Sequence, residues 1–241
     1  ERLHFIFEEF DNIYLSFSGG KDSGLLLNLV LDYQKEHYPR KKIGLFHQDF
    51  EAQYTVTTEY IERTYAKLKD DVEPYWVCLP MATRTAVSSY EMFWYPWDDT
   101  KEDTWVRPMP DHPYIINLKN NPITTYHYRM HQEDLAKQFG RWYRISHGNK
   151  KTICLLGIRA DESMQRYSGI LNRKYGYGNT CWISKQFKDV WCASPIYDWS
   201  IYDVWHANYT FSYDYNHLYD LYYMSGLKLD QMRVASPFGD Y

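Results

Sequence analysis

YLSFSGGKDSGLLLNLV, residues 14–30, passes from an apolar run through two glycines and a Lys-Asp-Ser triplet into a leucine-rich run. The first run is short and continuous, as in a buried β-strand, and the apolar residues of the second recur at helical spacing. The stretch therefore predicts a strand that passes into a helix through a tight turn at residues 18–23.

The backbone of this turn is suited to binding an anion. N–H groups at a helix start have no acceptor within the helix, and the helix dipole favours negative charge there. Gly19 and Gly20 lack side chains, so phosphate oxygens can approach the backbone closely. The alternative is a turn with ordinary helix capping, which would need fewer anion donors.

The side chains of the turn support the same interpretation. Ser18 and Ser23 add hydroxyl donors, and Lys21 adds a positive charge. Asp22 cannot bind phosphate directly, so it is predicted to cap the helix or to bind magnesium. The spacing differs from the GxxxxGK[ST] loop of kinases and GTPases, so a phosphate cradle of another class is predicted.

Composition limits the function classes. The chain has 241 residues, of which 44% are apolar and 19% aromatic, enough for one domain (1–241) with a large core. A formal net charge of -4 argues against a generally basic nucleic-acid-binding surface, although short basic stretches at 38–42 and 147–151 leave local nucleic-acid contacts open. Without a secretory signal or an apolar run of roughly 18 residues, we expect a cytoplasmic protein and no membrane partner.

The cysteines argue against a metal centre. Cys78, Cys154, Cys181 and Cys192 form no CxxC pair and no short-spaced cluster. We therefore expect neither an iron–sulfur cluster nor structural zinc held within this chain.

Apolar runs and amphipathic segments alternate along most of the chain. Buried strands are predicted at 12–17, 42–48, 73–80 and 151–158. Helices are predicted at 23–37 and 55–69. This alternation predicts an α/β fold with a Rossmann-like parallel sheet covered by helices on both faces.

Residues 81–150 differ from the rest and are predicted to form an insertion. The stretch 88–128 is rich in tryptophan, tyrosine and proline and has no clear period, and a helix is predicted near 131–146. Long insertions in α/β domains often carry substrate-recognition loops, whereas the alternative is an ornament stabilised by its own aromatic core.

Charged residues also follow the fourth predicted strand, from Gly157 onward. Because the carboxyl ends of parallel strands meet at one edge of the sheet, these residues are expected near the turn at 18–23. Arg159 and Arg166 could grip phosphate or sulfate oxygens, and Glu162 could orient one of the two guanidiniums. Their spacing also fits a surface cluster of salt bridges on a helix.

Four motifs in order resemble one family. SGGKDS at 18–23 resembles the SGGxDS loop of the PP-loop ATP pyrophosphatase superfamily, and within it the phosphoadenosine phosphosulfate (PAPS) reductases. LLGIRADESMQR at 155–166 is similar to that family's GxRxxES…R segment. SPIYDWSIYDVW at 194–205 and YNHLYDLYYMSG at 215–226 resemble the two segments that follow. Together these matches cover most of the chain outside the insertion.

The resemblance implies an adenine nucleotide alpha hydrolase-like fold that binds ATP or a related adenine nucleotide with Mg²⁺. It implies an adenosine contact at Asp49, just beyond the second strand. The predicted nucleotide-binding residues are Ser18, Gly19, Gly20, Lys21, Asp22, Ser23, Asp49, Gly157, Arg159 and Glu162. The predicted catalytic residues are Lys21, Arg159 and Arg166, and the predicted metal ligand is Asp22.

One departure from the reductases bears on the reaction. Reductases of the family carry a catalytic cysteine near the C-terminus, whereas this sequence has no cysteine after Cys192. The segment 226–240 resembles instead cysteine-free PAPS reductase-like proteins found beside ParB/sulfiredoxin-like partners and described as regulators of immunoglobulin-binding and prophage gene expression. A ParB/sulfiredoxin-like protein partner is accordingly implied.

These observations predict an enzyme that cleaves ATP between the α and β phosphates and transfers the adenylyl group to an acceptor, releasing pyrophosphate. Two alternatives stay open. One is a PAPS or APS reductase whose cysteine lies beyond Tyr241, and the other is a non-catalytic, nucleotide-sensing co-regulator that acts through a protein or DNA partner.

Overall fold

The computed structural model describes residues 1–171, 176–235 and 237–238 of the chain. The predicted C-terminal match at 226–240 therefore lies partly outside the described residues. From the N-terminus the chain forms α1 (Arg2–Glu9), β1 (Asn12–Ser16), α2 (Lys21–His37), β2 (Gly44–Gln48), α3 (Thr55–Leu68) and β3 (Glu73–Val77). The middle segment holds β4 (Thr83–Arg84), β5 (Phe93–Trp94), β6 (Ile115–Ile116) and α4 (Gln132–Ser146). The C-terminal part forms β7 (Thr152–Leu156), α5 (Met164–Leu171), β8 (Ile183–Phe187), β9 (Val190–Ala193), α6 (Ile201–Thr210) and α7 (Leu218–Met224).

Seven strands make one sheet in the order β6-β3-β2-β1-β7-β9-β8. All neighbouring strands are parallel except β8 and β9, which form an antiparallel pair at one edge. The predicted α/β fold with a Rossmann-like parallel sheet is confirmed. Because β1 pairs directly with β7, the turns that follow these two strands emerge side by side at the carboxyl edge of the sheet.

The alternating side chains of β1 explain why helices cover both faces. Ile13 and Leu15 point into one apolar cluster, which also contains buried residues of α1, α2 and α3. Tyr14 points to the opposite face and packs against Phe139 and Tyr143 of α4. Each face is therefore closed by its own set of helices, and the sheet lies between two cores.

The predicted insertion at 81–150 contributes more to the sheet than its sequence suggests. Its first part forms the β4–β5 hairpin and a 3₁₀ helix at Asp99–Thr104, with Trp97 fully buried edge-on to Trp105 at 5.1 Å between ring centroids. Its second part returns to the main sheet, because β6 pairs with β3 and α4 packs on the sheet face. The strand β6 thus belongs to the main sheet, although residues 117–130, between β6 and α4, form only turns and irregular structure.

Candidate functional site

The turn at 18–23 joins β1 to α2 as predicted, and its two glycines differ in role. Gly19 has φ +76°, a left-handed conformation that glycine favours, and a Cβ there would lie 3.0 Å from the side chain of Ile61. Gly20 is the N-cap of α2 in an extended conformation that any residue can adopt. The backbone therefore requires glycine at 19 but not at 20.

The two serines of the turn hydrogen-bond within it. The hydroxyl oxygens of Ser18 and Ser23 lie 3.0 Å apart, and the Ser23 hydroxyl donates to the Gly20 carbonyl at 3.1 Å. The Gly20 N–H donates to the Ser18 hydroxyl at 3.3 Å. Ser18 is the exposed member of the pair, so it is the hydroxyl that a ligand can reach first.

Two residues that the sequence did not single out hold the turn from the C-terminal side. The side-chain amide of Asn216 donates to the Gly19 carbonyl at 3.0 Å, and the Lys21 N–H donates to the Tyr219 hydroxyl at 3.0 Å. The Lys21 ammonium also lies 5.4 Å from the centroid of the Tyr219 ring. Both residues fall within the motif at 215–226, and this motif is the sequence feature that could have indicated them.

Charged side chains link the turn to the segment after β7. Asp22 is in contact with two cations, since its Oδ2 lies 3.1 Å from Lys21 Nζ and its Oδ1 accepts from Arg159 Nε at 2.6 Å. Burial lowers the pKa of Lys21, and the neighbouring Asp22 carboxylate opposes that shift. Lys21 is thus a desolvated cation, a state that a bound anion would stabilise.

Arg159 lies inside the protein. It is 2% exposed, and its Nη1 donates to Asp161 Oδ2 and to the Trp199 carbonyl, each at 3.1 Å. Together with the Asp22 contact, these bonds give both Nε and Nη1 of Arg159 acceptors within the protein. The geometry favours a positioning role, in which Arg159 fixes Asp22 and thereby the start of α2.

Gly157 allows the two turns to touch. A Cβ at this position would lie 2.7 Å from the Ser23 backbone nitrogen and 2.8 Å from the Asp22 carbonyl carbon. Real Cβ atoms essentially never come that close to backbone atoms. Gly157, predicted to bind nucleotide, is therefore where the chain after β7 packs directly against the first turn of α2.

Glu162 and Arg166 form an ion pair beside this contact. The Glu162 carboxylate also accepts the Arg159 N–H at 3.2 Å, so it orients Arg166 in the way that the sequence predicted for one of the arginines. The Arg166 side chain is 44% exposed, unlike that of Arg159. Of the two predicted arginines, Arg166 is the one that a ligand at the sheet edge can reach.

Asp49 lies apart from this group of charges. It is fully buried and accepts from Arg107 Nη2 at 2.6 Å, from Trp76 Nε1 at 2.7 Å and from the Glu51 N–H at 2.7 Å. Both carboxylate oxygens are therefore occupied, and Asp49 ties the middle segment to the end of β2. The adenosine contact at Asp49 stays a prediction, and this arrangement does not favour the Asp49 carboxylate as the contacting group.

A protein-held magnesium ion does not fit the residues present. Both oxygens of Asp22 contact cations, which leaves this carboxylate no oxygen directed away from positive charge. Across 1–171, 176–235 and 237–238, no three His, Cys, Asp or Glu side chains come close enough together to hold a metal ion. The prediction of Asp22 as a metal ligand is not favoured by this geometry.

Comparison with known proteins identifies the family. Residues 12–225 match the phosphoadenosine phosphosulfate reductase domain. The chain belongs to this family. Within the described part of the chain, no helix is long and apolar enough to cross a membrane.

A curated relative extends over nearly the whole chain. The uncharacterized protein YbdN of Escherichia coli (strain K12) is 32% identical over 247 aligned residues, which cover 99% of this chain. The match covers 57% of the length of YbdN, so this member of the PAPS reductase domain family spans little more than half of that relative.

Solved structures share the fold at low sequence identity. FMN adenylyltransferase of Candida glabrata in complex with ATP has a TM-score of 0.51 at 14% identity, over 90% of this chain and 54% of that one. The same enzyme with FAD and inorganic pyrophosphate has a TM-score of 0.50 at 16% identity, over 90% of this chain and 55% of that one. These likenesses concern the fold.

Proposed function

We propose that this protein binds ATP or a related adenine nucleotide at the turn 18–23 and cleaves it between the α and β phosphates. An oxyanion of an acceptor attacks the α-phosphorus, the bond from this phosphorus to the α–β bridging oxygen breaks, and pyrophosphate leaves with the electron pair. The acceptor carries the adenylyl group away. An anionic acceptor needs no general base.

The observation that carries the proposal is the convergence of positive charge on a helix start. Lys21 lies at the first turn of α2, and Arg166 reaches the same edge from the segment after β7. Such groups act by positioning the phosphates and neutralising their charge. The FMN adenylyltransferase whose fold is similar was solved with an ATP analogue, with ATP and with pyrophosphate, which supports an adenine nucleotide as the ligand of this fold.

Each cation has a distinct part in this reaction. Lys21 binds phosphate oxygens once the anion competes with Asp22 for its ammonium. Arg166 stabilises the charge that grows on the transferring or leaving oxygens, and Glu162 holds it in place. Arg159 positions Asp22 and the helix start without touching the nucleotide. No step here uses a protein-held metal ion.

The decisive measurement is the product of α-labelled ATP incubated with the protein and magnesium. An adenylate-containing product together with pyrophosphate supports the proposal, whereas ADP and phosphate contradict it. Arg166→Ala should lower turnover about ten- to a hundredfold, the loss expected for one charge-assisted hydrogen bond. Arg141→Ala is the matched control, because Arg141 is an exposed arginine on α4. We expect its turnover to equal that of the wild type.

The two buried thiols, Cys78 and Cys154, count against the reductase alternative. Burial raises the pKa of the Cys78 and Cys154 thiols well above their usual range. A sulfur-transferring nucleophile needs the opposite, a thiol whose pKa is lowered in an accessible place. Neither buried thiol therefore suits the reductase alternative, and thiol alkylation that leaves nucleotide turnover unchanged would count against it.

A nucleotide-sensing co-regulator is the second candidate. The observation that favours it is a set of exposed aromatic side chains on or next to α6 and α7, of the kind found in protein interfaces: Tyr202, Tyr209, Phe211 and Tyr223. A ParB/sulfiredoxin-like protein is the partner that the family resemblance implies, and nucleic acid is the less favoured one. ATP binding without any product in the labelled-ATP experiment would support this candidate over the enzyme.

A further inference from the structure

A segment after α7 reaches the carboxyl edge of the sheet, near the turn at 18–23 and Glu162. The chain leaves α7, makes a 3₁₀ helix at Leu229–Gln231 and then buries Met232, which is 1% exposed. The next residue, Arg233, is exposed, and its carbonyl accepts the Tyr222 hydroxyl at 3.2 Å. The buried methionine and this hydrogen bond anchor the backbone on both sides of the arginine's side chain.

The Arg233 side chain points at the site described above. Its Nη2 donates to the Glu162 carbonyl at 2.7 Å, and the carboxylate of the same Glu162 pairs with Arg166. A third guanidinium thus lies beside Arg159 and Arg166, supplied from a part of the chain about seventy positions away in sequence.

The charges at this edge do not balance. Four cations meet there, from Lys21, Arg159, Arg166 and Arg233, against three carboxylates, from Asp22, Asp161 and Glu162. Arg233 is the cation without a carboxylate partner among the described residues. Burial and then the nearby Arg233 lower the pKa of Arg166, while Arg233 also contributes to the lowered pKa of Lys21.

We propose that Arg233 is a phosphate-binding residue, and that it holds the polyphosphate of the nucleotide together with Arg166 and Lys21. The proposal rests on the proposed function and adds a phosphate-binding residue from the segment 226–240, in which no nucleotide-binding residue was predicted from the sequence. A polyphosphate anion supplies the negative charge that this cluster lacks, and a guanidinium can bind two of its oxygens at once.

The other end of this segment supports its placement. The Phe238 carbonyl accepts the Ala86 N–H at 3.0 Å, and the Phe238 ring lies edge-on to Trp94 at 5.5 Å between centroids. Described residues on both sides of Arg233 therefore contact the rest of the protein, Met232 in the core and Phe238 at the β4–β5 hairpin.

Calorimetric titration of ATP and of inorganic tripolyphosphate tests this inference on the full chain. Arg233→Ala should weaken the binding of both about ten- to a hundredfold. Arg233→Gln, which can still donate to the Glu162 carbonyl, should lose as much, and Arg233→Lys should lose less. Arg141→Ala removes the same charge elsewhere and should bind both ligands like the wild type.

The outcomes separate this inference from the proposed function. Wild-type binding of ATP by both Arg233→Ala and Arg233→Gln overturns the inference and leaves the proposed function standing. Binding of tripolyphosphate but not ATP by the wild type overturns the proposed function, and the Arg233 variants still decide the inference with tripolyphosphate. A purely structural role would instead lower the thermal midpoint of Arg233→Ala by more than about 4 °C, while Arg233→Gln, which keeps the bond to the Glu162 carbonyl, retains wild-type stability and affinity.

Discussion

Replacing Gly157 by alanine tests whether the contact between the two turns builds the site. The added Cβ would lie 2.7 Å from the Ser23 backbone nitrogen, where ordinary contact begins at 3.4 Å, so the turns must separate by about 0.7 Å. The obstructing atoms belong to backbone and cannot rotate away. Overpacking of this kind lowers the free energy of unfolding by about 1–3 kcal/mol.

The same displacement should reduce catalysis. A misplacement of about 1 Å costs on the order of a hundredfold in rate, so Gly157→Ala should lose roughly ten- to a hundredfold in turnover of ATP. Urea denaturation measures the first effect, and turnover of α-labelled ATP measures the second.

Gly169→Ala is the matched control. A Cβ at Gly169, within α5, would meet nothing within 4 Å, and alanine in a helix is favoured over glycine by about 0.5–1 kcal/mol. This variant should be as stable as the wild type or slightly more so, with unchanged turnover. A Gly157→Ala protein with wild-type stability and wild-type turnover would refute the argument that close backbone packing forms the site.

Three further substitutions separate structural from ligand-binding roles. Gly20→Val should weaken ATP binding at least tenfold by calorimetry. It should lower the free energy of unfolding by only about 1 kcal/mol, because a Cβ there meets only side-chain oxygens at 3.4 and 3.5 Å. Unchanged affinity would contradict the phosphate cradle. Asp49→Asn should lower the free energy of unfolding by about 3–5 kcal/mol, because it removes the buried charge that pairs with partly buried Arg107, whereas a residue that only contacts adenosine would leave urea denaturation unchanged. The hydrogen bond from Arg2 lowers the pKa of Asp198, so the pair stabilises the fold above pH 3.8 and loses this effect as the pH falls through the lower, folded pKa. Asp198→Asn should therefore cost under about 1 kcal/mol near neutral pH, since the pair is partly exposed, and progressively less as the pH falls below 3.8. A difference that does not shrink in acid would exclude the ion pair as its source.

The sequence predicted the central sheet because its signals are local. β1, β2, β3 and β7 are continuous apolar runs, and the glycine turn after β1 marks where α2 begins. The antiparallel pair β8 and β9 was missed, since Ser184, Lys185 and Gln186 interrupt its apolar pattern at a half-exposed edge. β6 has only two residues, too few for any period to appear.

The site was predicted less completely because its contacts are distant in sequence. The sequence placed Arg159 and Arg166 after β7 because they follow its apolar run. It could not show that Arg159 is buried among carboxylates whereas Arg166 is exposed. Asp49 was assigned to an adenosine contact because the family resemblance puts such contacts just beyond the second strand, whereas its partner Arg107 lies in a segment without a clear period. Arg233 belongs to no periodic element, and only the folded chain brings it to Glu162.

The bonds from Asn216 and Tyr219 to the turn at 18–23 have a consequence for the order of folding. They join residues 197 and 198 positions apart, so the turn waits for the far end of the chain before it is fully held. Loops that long close late, and contacts of such high sequence separation slow folding. During synthesis the first strand and helix emerge early, but a ribosome must add about two hundred more residues before α7 can dock. A nascent chain therefore completes the proposed nucleotide site last, and on this proposal nucleotide binding would report that synthesis and folding have reached α7.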